Sequence, residues 1–253
     1  MDSHVVAFVL IAGSMLTGCT MQHEETATGS ASTAEAEQDV GTASKSSVDV
    51  EPDQGKVSPK VDDHFEAGIA AYQANDLPLA FKEFRAASEK GHADSQFNLG
   101  LMYEQGIGVG KDEQEAVVWY RKSAEQGNSA AQFNLGVLFE NGRGTKVDFA
   151  KANEWYRKAS VQGDALAIGN LGMLYVRGDG VTVNKVAGVA LLLMSATLDS
   201  SNENNARRNI TATRGLTAEM IAAAQALSGE LSDAANLLVP LDQYLKATKT
   251  EKQ

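Results

Sequence analysis

Residues 93–128 and 129–164 are one segment written twice. ADSQFNLGLMYEQGIGVGKDEQEAVVWYRKSAEQGN lies on SAAQFNLGVLFENGRGTKVDFAKANEWYRKASVQGD at a shift of 36 with no gap. Sixteen positions are identical: 96–100, 104, 106, 108, 112, 116, 119–122, 126 and 127. Self-similarity at this period restricts the chain to stacked supersecondary units, since one such unit cannot bury its apolar side alone. Stacked units build an extended surface suited to holding other polypeptides.

Each unit divides at a glycine-rich turn. The first half carries Phe97, Leu99, Gly100 and Tyr103, repeated as Phe133, Leu135, Gly136 and Phe139. Leu99 and Tyr103 lie four apart, on one face of a helix. Gly100 costs about 1 kcal/mol of helix propensity relative to Ala. Its recurrence at Gly136 and Gly172 implies that a partner helix crosses closely there. The turns Gly106-Ile107-Gly108, Gly142-Arg143-Gly144 and Gly178-Asp179-Gly180 supply positive φ after that helix. Asp112, Asp148 and Asn184 then stand as N-caps, and Glu115 after Asp112 makes a capping-box pattern. The second helix carries Trp119 and Tyr120, or Trp155 and Tyr156, among alanines that let neighbouring helices interdigitate. Both tryptophans are expected in the core. No segment alternates like a strand.

QFNLGLMYEQGIGV, then Asp, then A-x-x-WYRKSAEQG resembles the Sel-one-like repeat, a relative of the tetratricopeptide repeat with a longer loop between its helices. A third copy, 165–200, keeps Asn170-Leu171-Gly172, Tyr175 and Val181 but has Leu191-Leu192 in place of the Trp-Tyr pair. A shorter first unit, about 65–92, turns at Asn75-Asp76 and is closer to the tetratricopeptide form. Ala206–Leu231 resembles the terminal module of many bacterial members and reads as a capping helix pair, with Thr217 as an N-cap. The expectation is an all-α solenoid of antiparallel helix hairpins: repeats over 61–200, capping helices over 201–247 and a frayed polar tail over 248–253.

Val5–Ala12 is an apolar run too short to span a bilayer, which needs about 20 residues. It reads as the hydrophobic region of a signal peptide, although Met1–His4 lack the usual basic residues. The alternative is an apolar N-terminal helix with an incidental cysteine. Leu16-Thr17-Gly18-Cys19 resembles the bacterial lipoprotein lipobox, which implies cleavage after residue 18 and acylation of Cys19. Thr20, where an Asp is absent, implies the outer membrane by resemblance to enteric lipoproteins. Cys19 is the only cysteine, so no intramolecular disulfide is available and the fold rests on packing.

Residues 20–60 contain no aromatic residue and carry a net charge of −5. Such a segment cannot bury enough apolar surface to offset its chain entropy, and is expected to be a disordered linker. Its span is roughly 35 Å, enough to hold the array clear of a membrane. The whole chain has a net charge of −11, which argues against nucleic acid as a partner.

No catalytic or metal constellation stands out. His4, His23, His64 and His92 show no metal spacing, and no cofactor motif is present. Gly106–Lys111 imitates a phosphate loop but has three residues between its outer glycines and Asp112 in place of Ser or Thr. The recurring polar residue is asparagine, at 98, 134 and 170. Two readings stay open. Each side chain holds a backbone group of the adjacent helix, since Asn in a helix interior needs a partner; or the three form an amide ladder that grips an extended peptide. The leading functional expectation is a lipid-tethered periplasmic adaptor that binds a partner protein or peptide and is not an enzyme. The resemblance extends to cysteine-rich relatives that bind or hydrolyse β-lactams, and cell-wall binding is the alternative; those relatives carry a cysteine pair per repeat, absent here.

Overall fold

The structure, a computed structural model, describes residues 60–201 and 204–250. The lipobox and most of the acidic linker lie outside those residues. Eleven helices and no strand occur among the described residues. Four hairpins come first. They are α1 (Val61–Gln73) with α2 (Leu77–Glu89), α3 (Ala93–Gln105) with α4 (Glu113–Glu125), α5 (Ser129–Asn141) with α6 (Phe149–Val161), and α7 (Ala165–Arg177) with α8 (Lys185–Leu198). Three more follow: α9 (Ala206–Ala212), α10 (Ala218–Asp233) and α11 (Leu238–Thr250). Each array helix packs chiefly on the helix before it and the helix after it, which is the connectivity of an α-solenoid.

Local signals set the helix limits. Asp112 accepts from the amides of Gln114 and Glu115, Asp148 from Lys151 and Asn184 from Ala187. The capping box is only half present. The Asp112 amide donates at 2.8 Å to the Tyr103 carbonyl of the preceding helix, so Glu115 has no free amide to reach. The same loop-closing bond recurs from Asp148 to Phe139 and from Asn184 to Tyr175. Gly106, Gly142 and Gly178 end their helices in the left-handed conformation. The second glycine of each turn has positive φ and also rests on the preceding repeat: Gly108 lies on Leu77, Gly144 on Glu113 and Gly180 on Phe149, each the first residue of a helix. In the shorter first hairpin Asn75 takes φ 59° and Asp76 caps α2.

The core runs along the helix seams. Leu99, Leu135 and Leu171, at equivalent positions, are fully buried, as are Ala116, Ala152 and Tyr120. Burying each leucine contributes about 1.5–3 kcal/mol. The stack closes where Leu192 and Ala196 meet Ala206 of α9, with α10 also packed on α8.

The cap has three helices where the sequence reads as a pair, and α11 continues through Thr250, into the segment expected to fray. Asn236 Oδ1 accepts from the Leu238 amide and starts the helix, Leu241 is fully buried, and Asp242 pairs with Arg157. Pro240 is tolerated because the first turn of a helix has unbonded amides in any case.

Candidate protein-interaction surface

The recurring glycine and tyrosine form one joint. A Cβ on Gly100 would sit 2.7 Å from the Tyr120 ring, and one on Gly136 would sit 2.6 Å from the Tyr156 ring. Each ring thus packs against the bare backbone of its partner helix. Its hydroxyl emerges one turn further on and donates to a glutamate: Tyr120 to Glu104 at 2.6 Å, Tyr156 to Glu140 at 2.7 Å. Burial pushes both hydroxyls well above the ordinary phenol range, and the adjacent carboxylates add to the shift.

The asparagines complete the joint from the next repeat. Asn170 Nδ2 donates to the Tyr156 hydroxyl at 3.2 Å, and Asn134 stands in the equivalent place beside the Tyr120 hydroxyl. The third position breaks the pattern. Asn98 is 2% exposed and its Oδ1 has no hydrogen-bond partner, and with Phe84 in tyrosine's place no hydroxyl stands there to accept from its Nδ2. The last junction is apolar on both sides, with Leu192 against Ala206. The structure therefore places the asparagines between successive hairpins, and the bond it shows, from Asn170, goes to a side chain and not to backbone. The backbone role falls to glutamines that the sequence reading did not single out. Gln96 donates to the Ser88 carbonyl and Gln132 to the Ala124 carbonyl, each also accepting from a glutamine of its own hairpin, Gln126 or Gln162. Their signal was available, since positions 96 and 126 are among the sixteen identities.

Trp119 and Trp155 lie at the rim of the core, 9% and 8% exposed, covered by Lys122 and Lys158 at 3.9 Å from the ring centroids. Gly172 meets the backbone of Gly188, with a Cβ there falling 2.8 Å from its carbonyl oxygen. His64 bonds Glu83, and His92 caps α3. Cys19 and Leu16, Thr17 and Gly18 lie outside the described residues. Among the described residues no cluster of His, Cys, Asp or Glu is placed to hold a metal, and no helix is long and apolar enough to cross a membrane.

Charged side chains cross the outer edge of the seams. Arg143, inside its glycine turn, reaches back to Glu104 at 2.9 Å and Glu113 at 3.0 Å. Hydrogen bonds from Lys111 and then Arg143 hold the Glu113 carboxyl below its usual range. Arg157 of α6 lies 3.4 Å from the Tyr175 hydroxyl and grips Asp242 of α11 through both carboxylate oxygens, at 2.6 and 2.7 Å. α11 is seated lightly, leaving an open groove of about 620 Å³ lined by Tyr175, Gly178, Gly180, Val181, Thr182, Leu245 and Lys249.

Residues 93–128, 129–164 and 165–200 each match the Sel1 repeat family, with the boundaries of the internal repeat. The chain is a Sel1-like repeat protein. It is similar to the crystal structure of a Sel1 repeat protein from Oxalobacter formigenes, at 28% identity and a TM-score of 0.57, over 66% of this chain and 74% of that one. It is also similar to c5321, a protective antigen of uropathogenic Escherichia coli strains displaying an SLR fold, at 30% identity and a TM-score of 0.61. That match covers 74% of this chain but spans only 40% of the length of c5321. No curated protein sequence matches the chain. Sel1-like repeats generally act as protein–protein interaction scaffolds and are typically non-catalytic.

Proposed function

We propose that this Sel1-like repeat protein is a lipid-tethered adaptor of the bacterial envelope. Cys19 carries the acyl anchor in the outer membrane, residues 20–60 act as the tether, and the array faces the periplasm and binds a partner protein or peptide on its surface. The observation that carries the binding role is the array itself: three consecutive Sel1 repeats in which each hairpin uses its buried seam for its neighbours and leaves its outer edges to solvent. The anchor reading is supported by Leu16-Thr17-Gly18-Cys19, with the chain's single cysteine at the position a lipobox requires. Several acyl chains hold a protein stably where one does not, at about 0.8 kcal/mol per buried methylene.

Two measurements test the two parts. Palmitate labelling in cells is expected for the wild type and not for Cys19→Ser; equal labelling of both removes the anchor. Crosslinking in the native envelope followed by mass spectrometry is expected to return a discrete partner. A chain that crosslinks only to itself, or to nothing, removes the adaptor.

A further inference from the structure

On the fourth repeat, the chain shows how one edge of this array accepts a helix. α11 lies there with Asp242 clamped by Arg157, and with Leu245 and Lys249 facing Tyr175, Gly178, Gly180 and Thr182. Shifting that seat back by 36 residues gives Arg121, Phe139, Gly142, Gly144 and Lys146. The geometry is carried over with the sequence. The Arg121 guanidinium stands 6.0 Å over the Phe139 ring, as Arg157 stands beside Tyr175. No helix covers this earlier seat among the described residues: Arg121, Lys146 and Lys151 are exposed, and Val147 is 53% exposed.

Resting on the scaffold reading above, we propose that this facet of the third repeat is the docking site for an acidic amphipathic helix of the partner, seated as α11 is seated one repeat later. Charge selects the occupant. Arg121 has no carboxylate within ion-pair distance among the described residues, so the role of Asp242 is open. Lys146 stands where Thr182 faces Lys249 of α11, so the incoming helix carries a carboxylate one turn or two beyond its first. Lys151 adds a third cation 5.2 Å from the Phe139 ring, offset in part by its bond to Asp148. Arg121, Lys146 and Lys151 set three cations against Asp148 and Glu125, a basic facet on a chain of net charge −11. The second repeat does not offer the same seat. There Arg85 is paired with Glu89, Gly110 stands in the place of Lys146, and Glu115 occupies the position of Lys151.

The probe is a fluorescein-labelled peptide of residues 236–250 with Lys249→Glu. It keeps the Asn236 cap, Asp242 and the leucine stripe of α11. It is titrated by anisotropy into the full chain. Saturable binding is expected, weakened at least tenfold by Arg121→Glu and by Lys146→Glu, and unchanged by Arg85→Glu. All three sites are exposed, and matched melting curves confirm that the variants fold. Absence of saturable binding, or equal binding by Arg121→Glu, overturns the proposal. So does binding lost in Arg157→Glu and retained in Arg121→Glu, which puts the peptide in the seat of α11. Envelope crosslinking separates this facet from the scaffold reading. Equal partner yield from wild type and Arg121→Glu overturns the facet and leaves the scaffold standing, whereas loss of the partner in Arg121→Glu supports the facet.

Discussion

The ring of Tyr156 lies directly on Gly136, so close that a Cβ there would fall 2.6 Å from the ring. The joint joins α5 to α6, presents the hydroxyl to Glu140 and leaves it in reach of Asn170 on the next hairpin. One contact within a repeat thereby positions the contact between repeats.

Gly136→Ala is expected to destabilise the protein. Alanine gains about 1 kcal/mol of helix propensity, but overpacking against a buried ring costs about 1–3 kcal/mol and also displaces the hydroxyl. Gly110, with no atom within 4 Å of its added Cβ, is the control. Gly110→Ala is expected to stay within about 0.5 kcal/mol of wild type. Urea unfolding of the two variants makes the comparison; a Gly136→Ala protein as stable as wild type would show that the ring is free to move.

The three asparagines are expected to behave unequally. Asn170→Ala removes a bond to a buried hydroxyl and should cost about 1–2 kcal/mol. Asn98→Ala removes a carbonyl oxygen that has no partner, and should cost less. Phe84→Tyr should raise stability by restoring the missing hydroxyl, and Asn98→Ala in that background should cost more than in the wild type. Thermal melts of the four proteins decide it, with identical costs at 98 and 170 as the contrary result.

Alkaline pH should loosen the array from its seams. Tyr120 and Tyr156 titrate well above 10.0, their ordinary value, when folded. Their stabilisation is complete below that value and is lost as pH rises above it toward the folded values. Tyr120→Phe with Tyr156→Phe should cost about 1–3 kcal/mol per site near neutrality, since Glu104, Glu140 and Asn170 lose a partner. The same double variant should show a flatter loss of stability above pH 10. Parallel pH profiles for variant and wild type would contradict this.

Asp164 behaves in the opposite practical direction. Burial raises its carboxyl above 3.8 although its side chain caps α7. The folded state therefore holds the proton more tightly, and the contribution of Asp164 is least favourable at neutral pH and recovers as pH falls through the raised value toward 3.8. Asn128 fills the equivalent cap on α5 without a charge, and Asn caps as well as Asp. Asp164→Asn is expected to be stabilising at pH 7, with the gain gone in acid below the ordinary value. A loss at pH 7 would contradict it.

Much of this fold was legible because it is periodic. The helix limits followed from Asp112, Asp148, Asn184 and the glycine turns, and the close crossing at Gly100 from its recurrence. The partner of Asn170 was not legible. It is a tyrosine hydroxyl on the preceding hairpin, 14 residues earlier in the chain, and only stacking brings the two together. The half-formed capping box was hidden for a similar reason, since the Tyr103 carbonyl takes the Asp112 amide through a loop closure that local spacing does not report. α11 escaped because its charged exterior reads as a tail. Asn236 and the Leu238, Leu241, Leu245 stripe were the available signal, but Asp242 makes sense only once Arg157 is seen beside it. The facet at Arg121 became readable only after that pair was in place.

The central claim is that the hairpins hold one another up across these seams. The most direct measurement compares urea unfolding of the full chain with that of a chain ending at Asn128, which removes α5 onward and leaves the outer side of α4 without a neighbour. The expected result is a large fall in the midpoint, or no cooperative transition at all. An unchanged midpoint in the truncated chain would mean that each hairpin stands alone, and would contradict the account.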